Sequence, residues 1–231
     1  MPSFSLPIMS LFSDPLLFLR NLLLSAPAIL IALTLHELAH GLVAYWCGDP
    51  TAKMMGRLSL NPLRHLDPIG TAMLVLVGFG YAKPVPVNPR YFKKPRLYDF
   101  FVSIAGITMN MILFALFGMA YFSYINFASD AMFNEYIAYF LFYCAQINAC
   151  LAVFNVLPLP PLDGYHMVND LLLKRPLFAS EQQARIGQGI LFLLILTGLL
   201  DKYIAFCVGG SGSGLWGGLF HIFKGIAQNF V

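Results

Sequence analysis

The chain has 231 residues, of which 58% are hydrophobic, 15% aromatic and only 11% charged, with a mean hydropathy of +0.72. A soluble domain carries about 25% charge, so a water-facing coat is excluded, and disordered, collagen-like and coiled-coil organisations are excluded with it. The formal net charge of +3 is too small for a nucleic-acid surface, and nucleic acid is not an expected partner.

The N-terminal stretch MPSFSLPIMSLFSDPLLFLR has no basic residue before Arg20 and no small-residue cleavage site, so it does not read as a cleaved signal peptide. Four stretches, 22–46, 99–125, 136–157 and 186–206, approach or exceed the roughly 20 apolar residues that cross a bilayer core. The apolar run 69–81, with Gly70, Gly78 and Gly80 inside it and Pro68 and Pro84 at its edges, is too short and broken to span. It reads as a re-entrant or β-hairpin element near 66–90, because irregular backbone at membrane depth must be satisfied by protein or water. GGSGSG at 209–214 reads as a flexible link, and the amphipathic segment from Leu215 as one that lies in the interface. The expected fold class is an all-α polytopic membrane protein, a bundle of about 4–6 transmembrane helices. It forms a single membrane-embedded domain over 1–231, with a core at 22–170 and C-terminal helices at 186–231.

Basic residues cluster in three loops: Lys53, Arg57 and Arg64; Lys83, Arg90, Lys93, Lys94 and Arg96; Lys174, Arg175 and Arg185. The positive-inside rule makes these loops cytoplasmic and the N-terminus external in a multi-pass cell-membrane protein, with the bilayer itself as partner. The four cysteines, Cys47, Cys144, Cys150 and Cys207, lack metal or redox spacing and read as small apolar residues.

Inside the first span lies TLHELAHG, with His36, Glu37 and His40 where a lipid-facing helix should hold no titratable group. At 3.6 residues per turn, His36 and His40 lie about 40° apart on one face, so both imidazoles reach one ion while Glu37 stands beside it. This is H-E-x-x-H on a helix, two zinc ligands with a general base. A hydrolytic zinc site keeps three protein ligands and an open position. Candidates for the third are Asp99, Asp163, Asp170, His65 and His166, with Glu135 on the opposite side. Asp163 stands out because it ends NVLPLPPLDG, where Pro158, Pro160 and Pro161 stop the third span and free an inward-pointing carboxylate beside a wet cavity.

H-E-x-x-H at 36–40 and N-x-x-P-x-x-P-L-D-G at 155–164 resemble the two metal motifs of the site-2 protease family, intramembrane zinc metalloproteases, in its compact bacterial or archaeal form without PDZ or CBS domain. The tracts GDPTA (48–52), GRLSLNPLRHLDPIGT (56–71) and GFGYAKPVPVNP (78–89) are similar too. The resemblance implies one Zn2+ per chain on His36, His40 and Asp163, Glu37 as catalytic base, and transmembrane protein substrates cut within or near a membrane-spanning segment. In AGITMN, Ile107 stands where the family commonly has proline.

The residues read chemically agree with a metalloendopeptidase. Zinc lowers the pKa of a water towards about 7 and polarises the scissile carbonyl. Glu37 takes the water proton and delivers it to the leaving amine, while Asn155 and Asn110 are the amides expected to steady the oxyanion. His65 is expected to order its loop and His166 to hydrogen-bond a ligand or substrate. The proline-rich tract 78–88 reads as extended chain that could hold an unwound substrate by strand addition. A zinc-binding transporter is the rival class, but the sequence shows no repeated halves; a catalytically silent scaffold gives no reason for Glu37.

Overall fold

A computed structural model describes residues 12–77, 82–129, 133–171, 173, 180–209 and 214–227. Helix α1 (Pro15–Trp46, 32 residues) starts where the Asp14 side chain accepts from Leu17 N and Pro15 occupies the first turn, a position that needs no backbone N–H. A short α2 (Thr51–Met54) and a ten-residue α3 (Pro68–Val77) precede α4 (Pro95–Phe127, 33 residues), which again opens on proline. Then follow α5 (Glu135–Asn155), α6 (Asp163–Leu171), α7 (Glu181–Leu196), α8 (Leu199–Val208) and α9 (Gly214–Ala227).

Among the described residues three helices, α1, α4 and α5, are long and apolar enough to cross a membrane, or four if α7 and α8 are one broken span. The count lies at or below the low end of the expected range. The expected span 186–206 is split by Gly198, which takes a left-handed φ of +67° and turns α8 by 77° from α7. The element near 66–90 is helical where it is described: Asp67 caps α3 through Ile69 N and Gly70 N. No strand occurs among the described residues. A single antiparallel bridge, Leu66 to Ala82, joins the chain on either side of α3. Pro84 and Pro86 remove the donors that would extend this bridge into a ladder, so the hairpin expectation is not met. Residues 78–81 and most of the 209–214 link lie outside the described residues. The ten described helical residues of α3 rise about 15 Å, half a bilayer core.

Helices α1, α4 and α5 pack together, with α6 laid against the start of α4. Arg96 on α4 donates to Asn169 O at 3.0 Å and to Leu173 O, which fixes the carbonyl end of α6 as a cation does at a helix C-terminus. The far half of the bundle is closed by α9, which is more than an interfacial segment. Trp216, Leu219 and Phe223 are buried on one of its faces. Trp216 stacks on Phe142 at 5.3 Å, meets Phe114 edge-on at 5.4 Å, and donates from Nε1 to Gln146 Oε1 at 2.6 Å. A Cβ on Gly118 would lie 2.2 Å from Leu219 Cδ2, so glycine leaves room for this leucine against α4. Trp216→Ala should therefore cost about 3–5 kcal/mol of packing, seen as a lower unfolding midpoint in detergent with bound zinc unchanged in the folded fraction.

Candidate metal centre

One turn of α1 separates His36 from His40, and both side chains are buried. Their Nε2 atoms are 3.0 Å apart, and Asp163 Oδ2, from the first residue of α6, lies 3.3 Å from each. A tetrahedral ion with bonds of about 2.0–2.1 Å holds its ligands about 3.3 Å apart, so this triangle has the size of one face of such a shell. His40 Nδ1 donates to Val102 O on α4 at 2.7 Å, which leaves the Nε2 of a neutral ring as a lone pair. Asp163 Oδ2 is buried without a hydrogen-bond partner. Acceptor atoms converging without a donor call for a cation, and a two-histidine, one-carboxylate set is the donor chemistry of hydrolytic zinc. These residues fit a zinc ion.

The close approach of α4 depends on Gly106. A Cβ there would fall 2.4 Å from His40 Nε2 and 2.5 Å from His36 Cε1. Neighbouring Ile107 is buried and α4 runs unbroken through it. Opposite, a Cβ on Gly164 would sit 2.2 Å from Val156 O, so the glycine after Asp163 lets α6 begin against the end of α5.

The triad opens on a cavity of about 540 Å³ whose wall includes Glu37, Val85, Ser103, Asn155 and His166. Glu37 Oε2 accepts from Val85 N at 2.8 Å, so the extended tract after α3 touches the carboxylate. Asn155 donates one amide hydrogen back to Leu151 O at 3.0 Å and keeps a second. Asn110 is fully buried with both amide atoms unpartnered and is not among the cavity-lining residues.

The other candidate ligands separate from the triad. Asp99, His166 and Asp170 form their own group, with His166 Nδ1 and Asp99 Oδ2 3.3 Å apart. The Asp99 hydrogen bond raises the His166 imidazole above its ordinary value against the opposing effect of burial. Burial and the neighbouring Asp99 push Asp170 up to about 6. His65 is buried in its loop and donates from Nε2 to Ser59 O at 2.8 Å, while Glu135 begins α5, at the end remote from Asn155. Val102 O, Gly106 and Val85 N carry weight in this site without any side-chain signal in the sequence.

The protein "Putative zinc metalloprotease YwhC" of Bacillus subtilis is 43% identical over 186 residues, 76% of this chain and 81% of that protein. The chain belongs to peptidase family M50, the site-2 protease family. The Peptidase family M50 description itself matches residues 116–196, which hold Asn155 and Asp163 but not H-E-x-x-H. "Putative zinc metalloprotease Rip2" of Mycolicibacterium smegmatis is 28% identical over 194 residues, 82% of this chain and 73% of that protein. Its namesake in Mycobacterium tuberculosis is 30% identical over 176 residues, 71% of this chain and 64% of that protein. No solved structure matches this M50 chain significantly. With its apolar helices, the family makes it a membrane metalloprotease.

Proposed function

We propose that the protein is an intramembrane zinc metalloendopeptidase that cuts transmembrane protein substrates within or near their membrane-spanning segments. The observation that carries the reading is the convergence of His36 Nε2, His40 Nε2 and Asp163 Oδ2 within 3.3 Å, buried between apolar helices and open to a cavity that Glu37 also lines. His36, His40 and Asp163 would hold one zinc ion, which when bound supplies a Lewis acid and a water of lowered pKa. Glu37 accepts the proton of the attacking water and returns it to the leaving amine. Asn155, which lines the cavity, steadies the carbonyl oxygen as charge develops there; Asn110, away from the cavity wall, is better suited to joining helices. Cationic loops at this end of the bundle support a cytoplasmic-facing site with the N-terminus outside the cell membrane. The extended chain from Ala82 to Pro89 along the cavity supports capture of unwound substrate beside Glu37.

The test measures zinc content and cleavage of a transmembrane reporter in vesicles. A chelator should abolish cleavage and added zinc restore it. Asp163→Ala should weaken zinc binding by more than about 100-fold, since even outer partners of ligands are worth 10–100-fold. A variant lacking the Asp163 carboxylate that keeps full zinc and full rate overturns the assignment.

A further inference from the structure

Two charged side chains outside the metal centre are buried and lack an ion-pair partner among the described residues. Arg57 is 7% exposed and Asp49 fully buried. A buried charge survives only where other groups satisfy it. For both, much of that satisfaction comes from one short segment, 83–88. Arg57 Nη2 donates to Lys83 O and, at 3.2 Å, to Pro84 O. Asp49 Oδ2 accepts from Asn88 N at 2.6 Å, while its Oδ1 is held by Thr51 N at 2.9 Å and Thr51 Oγ1 at 2.5 Å. A cation thus grips carbonyls at one end of the segment, and an anion grips an amide at the other.

Between these grips the sequence is Pro84-Val85-Pro86-Val87. Prolines have no N–H, and each keeps the residue before it extended. Val85 N–H is therefore the one backbone donor in 84–86, and it goes to Glu37 Oε2 at 2.8 Å. We infer that Arg57 and Asp49 are positioning residues for the general base: they stretch 83–88 so that Val85 N–H fixes one oxygen of Glu37 and leaves the other to the reacting proton. The inference rests on the protease reading of Glu37. It requires neither residue to touch substrate or metal.

The experiment uses the full-length, zinc-loaded protein in vesicles with a transmembrane reporter, and reads kcat, KM and zinc content. Arg57→Gln should lower kcat about 10- to 100-fold, the cost of a misplaced catalytic group, with zinc content unchanged, over and above any rise in KM from loosening the segment proposed to hold substrate. Arg57→Lys, which keeps the charge but not the fork, should recover part of that loss. The decisive comparison is the Glu37→Asp background, where a carboxylate one methylene shorter should no longer reach Val85 N–H. There Arg57→Gln should cost less than about twofold, because residues acting through one group are not additive. An equal loss of kcat in both backgrounds, a loss carried by KM alone, or zinc lost in step with activity would each make Arg57 a merely structural residue and overturn the inference. If Arg57→Gln does not fold, Arg57→Lys and Asp49→Asn carry the same comparison: losses that vanish in Glu37→Asp support it, and losses that persist overturn it. Wild type that cleaves while Arg57→Gln matches its rate defeats this inference alone; wild type that cleaves nothing defeats the protease reading as well.

Discussion

Glu37→Gln is expected to keep its zinc and to lose about 10²–10⁴-fold in the rate of reporter cleavage, the span that a positioned acid–base group contributes. The amide matches the carboxylate in shape, and its oxygen can still accept from Val85 N–H, which now lies 2.8 Å from Oε2. His36, His40 and Asp163 are untouched, so metal analysis of the variant should match wild type. What disappears is the ability to take a proton from water and pass it to the leaving nitrogen. This pattern, metal retained and turnover lost, separates a protease from a transporter that uses the same buried ligands. For a transporter, Glu37 stands beside the ligands without a task, and zinc flux would survive the change. Full cleavage by Glu37→Gln would remove Glu37 from the mechanism as its base.

The parts of this site that were legible in the sequence are those in which local geometry dictates position. His36 and His40 could be placed on one face because any regular helix puts residues four apart together, and Asp163 because prolines 158, 160 and 161 force the chain out of α5 before it. Asn110 shows the limit of that logic. It lies one turn beyond Gly106 on the same face of α4, but how far the cavity reaches along that face is set by packing, and Asn110 is not among the residues of its wall. The second role of Arg57 is hidden for a different reason. A basic residue in a loop ordinarily marks the cytoplasmic face, and only the fold shows it buried against Lys83 O and Pro84 O. Backbone partners such as Val102 O and Val85 N leave no trace in side-chain pattern. The same holds for span 186–206, whose hydropathy continues across Gly198 although the helix axis does not.

Gly106→Ala is expected to abolish zinc binding and cleavage together, although residue 106 carries no ligand. The added Cβ would meet His40 Nε2 at 2.4 Å, His36 Cε1 at 2.5 Å and His40 Cε1 at 2.6 Å, well inside van der Waals contact. The His40 ring cannot easily turn away. His40 is held through Nδ1 by Val102 O, one turn earlier on the same helix as Gly106, so the α4 backbone grips the imidazole from one side while residue 106 would press from the next turn. Relief must come from rotating the rings off the shared point or from moving α4 away from α1. Either takes the ligand atoms out of a triangle whose sides are 3.0 and 3.3 Å, and zinc tolerates such displacement poorly because its bonds are short and directional. The expected loss of zinc affinity is about 100-fold, the upper end of what removal of a ligand's orienting partner costs. Gly189→Ala is the matched control: a Cβ there meets nothing within 4 Å, so in helix α7 it should gain up to about 1 kcal/mol of helix propensity and leave zinc and rate unchanged. Retention of zinc by Gly106→Ala would mean that the two histidines are not held against α4, and the metal centre would have to be rebuilt without that helix.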